Sequence, residues 1–182
     1  MTLKSIRYHL KPYSIIAKRR TTVAHAFASA LAPCDRYDQA LIEKSLLALG
    51  QDDLNHLECV YCRRPAQTWD HLENLVKAGR LNGYGHQIGN LVPSCRECNS
   101  EKGGKTFRAY VSANLLLSEA EKKGLIQRLE NHIALAKPIK SSASSQEHEE
   151  ILNRFLSLQA KVIELMEEAD RCAAQLRSRT DG

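Results

Sequence analysis

Two cysteine pairs, Cys59-Val60-Tyr61-Cys62 and Cys95-Arg96-Glu97-Cys98, constrain this chain more than any other feature. A tetrahedral Zn²⁺ takes four sulfurs at about 2.3 Å, and each CxxC knuckle lets two of them converge while backbone amides soften their charge. Such a site closes everything between the knuckles into one compact unit. The chain has six cysteines, and its start, Met1 to Arg20, is charged throughout with no apolar signal segment. That argues against a disulfide framework and for metal. Cys34 and Cys172 fall outside the pattern and read as ordinary buried or semi-buried thiols.

At 182 residues and 43% apolar content the chain is one ordinary domain, or a small core with an appendage. No apolar run approaches the roughly 18 to 20 residues of a membrane span, so a soluble, cytoplasmic protein is expected. The net charge of +5 is unevenly spread: Glu147 to Gly182 carries five basic and eight acidic residues, which leaves +8 for Met1 to Gln146. The front of the chain is therefore the candidate for binding a polyanion. Lys18-Arg19-Arg20, Arg63-Arg64 and Lys102, Lys105 and Arg108 suit phosphate contacts, although each also suits a solvated face.

Thr21-Thr22 is placed to cap a helix through about Leu31, stopped by Pro33, and Asp35 to cap a second through about Leu49, ended by Gly50. From Cys59 to about Arg108 the helical periodicity breaks, and Thr68 to Leu72 and Asn90 to Val92 are the strand candidates. A helix is expected from about Cys95 past Lys102, with Gly103-Gly104 ending it. Ser118 and Glu121 form a capping box ahead of Leu125, Ile126, Leu129, Ile133 and Leu135. Lys137 to Gln146 reads as a linker. Beyond it Ile151, Phe155, Leu158, Val162, Leu165, Ala169, Cys172 and Leu176 recur at spacings of four and three, a heptad seam. The seam leaves open pairing with a second copy, docking on the Ser118 to Ala136 helix, or a solvated helix. The expected division is an N-terminal helical segment over 1–57, a core over 58–112 and C-terminal helices over 113–182, with a linker near 137–146 and the heptad helix near 147–178.

Cys59/Cys62, Trp69-Asp70-His71, Gly89-Asn90-Leu91-Val92-Pro93, Cys95-Arg96-Glu97-Cys98-Asn99 and Lys102-Gly103 stand in an order that resembles the HNH nuclease family. The resemblance covers about a quarter of the chain and implies an α+β fold, with a zinc-stapled ββα-metal core in which a β-hairpin faces a helix around one divalent cation. It implies His71 as the general base on the attacking water, Asp70 as a metal-binding carboxylate and Asn90 as the holder of the loop that orients the histidine. Asn99 stands where the family has histidine or asparagine and is implied as the second ligand of the cation. It further implies hydrolysis of double-stranded DNA to 5′-phosphate and 3′-hydroxyl ends. One such site cuts one strand, so a duplex break needs two copies, and the heptad seam offers a route to a homodimer. A restriction or phage-defence endonuclease is the expectation that follows.

The chemistry asks for these residue types independently. A neutral imidazole with a pKa near 6.5 can take a proton from water at physiological pH. A hard ion, Mg²⁺ or Mn²⁺, suits oxygen donors such as Asp70 and Asn99 and stabilises charge at a phosphate. Arg96 and Lys102 are candidate phosphate clamps, and His86, in the loop before Asn90, is a candidate for reaching DNA or metal. Trp69 is expected to pack behind the site, and His9, His25, His56, His132 and His148 are read as surface or core. Two rival readings remain: a non-catalytic zinc module that binds nucleic acid, and a nicking effector recruited to a multi-protein defence complex through the C-terminal helix.

Overall fold

The computed structural model describes residues 6–7, 10–77, 80–138 and 146–180. Most of the expected linker, 139–145, lies outside these residues. The chain divides into two compact units, one from Met1–Phe27 with Ser142–Gly182 and one from Ala28–Ser141.

The first unit is built on two long helices, α1 (Ile15–Leu31) and α6 (Gln146–Thr180). α1 begins six residues before the expected Thr21 because its cap comes from far along the chain. Asp170 Oδ1 accepts from the Ile15 amide at 2.8 Å, and its Oδ2 accepts from Ile16 N at 3.1 Å and Ser14 Oγ at 2.7 Å. A carboxylate at a helix N-terminus satisfies orphan amides and opposes the positive end of the dipole. Arg20 pairs with Glu167 at 2.6 Å, and the rings of Phe27 and Phe155 lie 5.2 Å apart, so the two helices run antiparallel. The contact splits the heptad seam: Phe155 and Val162 are half-buried, whereas Ile151, Leu158, Leu165 and Leu176 stay 49% to 66% exposed.

The second unit opens with α2 (Gln39–Ala48), whose cap is Asp38 rather than Asp35, with Oδ1 accepting from Leu41 N at 3.0 Å. Gly50 follows the helix at φ +80°, the left-handed conformation that ends helices at little cost to glycine. β1 (Thr68–His71) and β4 (Leu91–Ser94) pair antiparallel in the register Thr68↔Ser94, Trp69↔Pro93, Asp70↔Val92, His71↔Leu91. A small hairpin of β2 (Val76–Lys77) and β3 (Arg80–Leu81) lies in the connection between them.

α3 (Arg96–Lys102) follows β4 directly, and Gly103, at φ +47°, ends it. α4 (Phe107–Ser112) and α5 (Glu119–Ile133) complete the unit. The capping box of α5 forms in full, with Glu121 N donating to Ser118 Oγ and Ser118 N to Glu121 Oε2. Leu72, Val92, Phe107, Val111, Leu125 and Leu129 pack together as a core under the β1–β4 sheet. The architecture is a mixed one of helices with small sheets, and no helix among the described residues is long and apolar enough to cross a membrane.

Candidate active site and metal centre

The two knuckles come together as the spacing predicts. The sulfurs of Cys59, Cys62, Cys95 and Cys98 all lie within 4.8 Å of one another, and those of Cys62 and Cys95 are 3.7 Å apart. Four sulfurs at about 2.3 Å from a tetrahedral ion sit roughly 3.8 Å from each other, so the geometry and the all-thiol donor set fit zinc. Backbone bonds shape the first knuckle: Cys59 N donates to Arg64 O at 2.7 Å and Arg63 N to Cys59 O at 2.9 Å, with Arg63 at φ +61°. In the second, the Cys95 sulfur caps α3 by accepting from Cys98 N at 3.4 Å.

Arg64 is turned onto this cluster rather than outward as a phosphate contact. Its Nε lies 3.4 Å from Cys62 Sγ and its Nη2 3.6 Å from Cys95 Sγ. Burial pushes the Cys62 thiol up, but the hydrogen bonds from Arg64 outweigh it and bring the thiol down to about 7. Burial pushes Cys95 and Cys98 up. Cys34 and Cys172, expected to be buried or semi-buried, are both exposed.

β1 holds Trp69, Asp70 and His71 in sequence. Strand alternation sends Asp70 into the unit and Trp69 outward. Asp70 is 5% exposed, while Trp69, expected to pack behind the site, is 46% exposed. Both Asp70 oxygens have partners: Oδ2 accepts from Tyr61 OH at 2.6 Å and Oδ1 from Lys102 Nζ at 3.1 Å. Lys102 also donates to His71 O at 2.7 Å and is 1% exposed, so it is not a surface phosphate clamp. Its stem passes through the core from the last turn of α3 and its charge ends under β1.

His71, at the end of β1, is half-buried, and its Nε2 lies 3.1 Å from Nδ1 of His86. Burial holds the His71 pKa below 6.5, the nearby His86 and Lys102 lower it further, and Asp70 opposes them. The imidazole is therefore neutral and able to accept a proton near pH 7. Asn90 is fully buried and spans the ends of the intervening loop. Its Nδ2 donates to Glu73 O and Gly85 O, both at 3.0 Å, and its Oδ1 accepts from Glu73 N at 2.8 Å. Asn99, on α3, donates from Nδ2 to Trp69 O at 3.4 Å, which places it beside β1 with its amide oxygen uncommitted to that bond. Arg96 is exposed, and its backbone amide is held by Gln67 Oε1 at 3.3 Å.

The structure thus gathers Asp70, His71, His86, Asn99 and Lys102 around one end of β1. The donor types of Asp70 and Asn99, a carboxylate and an amide oxygen, fit a hard cation, but in this arrangement the carboxylate is engaged by Tyr61 and Lys102. One contributor, Tyr61, was not singled out from the sequence, although it stands between two cysteines of the cluster. His132 of α5, read from the sequence as surface or core, is buried: its Nε2 lies 3.0 Å from Leu91 O, and a carbonyl only accepts, so this nitrogen carries the proton.

Comparison with the curated proteins and with the solved structures gives no match. Against the family models, residues 59–105, from the first cysteine of the cluster to just beyond α3, match the model described as HNH endonuclease.

Proposed function

We propose that this protein is a metal-dependent DNA endonuclease of the HNH type, with the zinc cluster as its staple and His71 as its general base. The observation that carries the reading is His71 itself, at the end of β1 with its pKa lowered by burial, on the strand that Asn99 of α3 contacts at Trp69 O, within the stretch that matches the family model. β1, β4 and α3 then correspond to the ββα-metal core, and 1–57, 58–112 and 113–182 to the flanking and central parts of the chain.

In this mechanism His71 takes a proton from a water, whose oxygen bonds to the scissile phosphorus as the bond to the 3′ oxygen breaks. The departing oxygen takes a proton from solvent, leaving 5′-phosphate and 3′-hydroxyl ends. Asn90 keeps the loop closed so that His71 faces the same place in each turnover. Arg96, exposed at the start of α3, contacts phosphate. Mg²⁺ or Mn²⁺ at Asp70 and Asn99 supplies positive charge at the phosphate when bound, in competition with Lys102 for the carboxylate.

The substrate is double-stranded DNA, and a restriction or phage-defence role follows if two copies act together. The exposed row Ile151, Leu158 and Leu165 on α6 supports a homodimer through that helix. The test is cleavage of supercoiled plasmid by zinc-loaded wild type and His71→Ala, with Mg²⁺, Mn²⁺ or EDTA. Cutting that needs both the ion and His71 supports the reading, and linear rather than nicked product supports the dimer. One observation favours a second reading, a zinc module that binds DNA without cutting it: Asp70 is already neutralised by Lys102. DNA retarded on a native gel but never cut under any ion would establish that alternative.

A further inference from the structure

We propose that His86 is a positioning residue for His71, accepting the His71 Nε2–H on its own Nδ1 and so holding the ring in the tautomer whose Nδ1 is free. The inference rests on the reading of His71 as general base. The two nitrogens are 3.1 Å apart, and the rings meet edge to face, with centroids 5.1 Å apart at 68°. A neutral imidazole has one N–H and one lone pair. If His86 donated, His71 would accept on Nε2 and carry its own proton on Nδ1, and no lone pair would face a water. Only the reverse assignment leaves His71 basic. After His71 takes a proton, its Nε2–H still points at His86 Nδ1, and the bond strengthens because the donor is now charged.

The mount of His86 supports this role. Its side chain is exposed, yet its backbone is held from both sides: His86 N donates to Pro33 O at 2.8 Å, and Asp35 N donates to His86 O at 3.1 Å. The preceding Gly85 O accepts from Asn90, and two residues on, Ile88 N donates to Asp35 Oδ2 at 2.8 Å. A Cβ on Gly85 would lie 1.9 Å from Pro33 O, so glycine lets the two segments meet here. An exposed ring on a backbone secured by Asn90 and by residues 33–35 is placed for the polar contact it makes with His71.

The experiment uses full-length, zinc-loaded protein with ¹⁵N-labelled histidine, as wild type, His86→Asn and His86→Leu. Asparagine places an acceptor oxygen near the position of Nδ1, and leucine places none. Ring ¹⁵N spectra at about pH 8, where imidazoles are neutral, report the His71 tautomer directly. Wild type and His86→Asn are expected to show one Nε2–H form, and His86→Leu a mixture. In plasmid cleavage, kcat for His86→Leu is expected to fall about tenfold or more while KM stays within about twofold, with His86→Asn retaining most of kcat. A His86→Leu protein with the wild-type tautomer and kcat overturns the proposal, as does a His86→Asn protein that behaves like the leucine variant. A wild type that never cuts DNA, yet whose tautomer depends on residue 86, overturns the nuclease reading and leaves the positioning relationship standing.

Discussion

Lys102 Nζ lies 3.1 Å from Asp70 Oδ1, and the two side chains are 1% and 6% exposed. A charge pair this deep is costly to break from one side, because the partner is left uncompensated in a poorly solvated place. Lys102→Met is expected to destabilise the protein by about 3 to 5 kcal/mol. The double variant with Asp70→Asn should recover a large part of that, since neither charge then remains. Urea denaturation of the four proteins of the cycle measures the coupling, and additive losses would show that the pair does not act as one.

Zinc removal should unfold the second unit rather than merely inactivate it. Structural zinc contributes on the order of 10 kcal/mol or more to folding in small metal-stapled modules. Chelation, or Cys98→Ser, is expected to abolish the cooperative thermal transition of this unit in circular dichroism. Cys34→Ser and Cys172→Ser, at exposed thiols outside the cluster, are expected to leave it unchanged.

His132 links stability to pH. Burial lowers its folded pKa below the ordinary 6.5, so between that lower value and 6.5 the unfolded chain binds more protons than the folded one. Stability is therefore full above 6.5 and is lost as the pH falls through the folded pKa. His132→Gln, which keeps a donor for Leu91 O but does not titrate, is expected to remove this slope. Denaturation midpoints of both proteins between about pH 7.5 and 5 check it, with the curves diverging only below about 6.5.

Gly85 and Gly104 make an internal comparison. The Cβ of Gly85→Ala would meet Pro33 O at 1.9 Å, a backbone atom that cannot swing aside, whereas a Cβ at Gly104 meets nothing within 4 Å. Gly85→Ala is expected to cost about 1 to 3 kcal/mol and to displace the His86 backbone from residues 33–35. Gly104→Ala should be neutral to slightly stabilising. Thermal melts of the two variants side by side give the answer.

The sequence by itself determined whatever depends on neighbours a few residues apart. The CxxC spacing brings two sulfurs together in each knuckle, Ser118 and Glu121 cap α5, Gly103 ends α3, and the heptad spacing makes α6 a helix, because each of these follows from local backbone geometry. The strands β1 and β4 were legible to within two residues at their ends.

Only the tertiary structure decided the rest. Asp170 caps α1 from 155 positions away, which no reading of residues 14 to 22 could show. Asp35, a reasonable cap for the next helix, is drawn instead to Ile88 N. Lys102 and Trp69 each reversed the expected exposure, the cation turning inward to a carboxylate and the indole out, while Arg64 stays exposed and lays its guanidinium along the thiols of Cys62 and Cys95. A side chain's charge or hydrophobicity says what it gains from a partner. Which partner it meets depends on contacts between segments far apart in the chain, and those are set only when the whole unit closes.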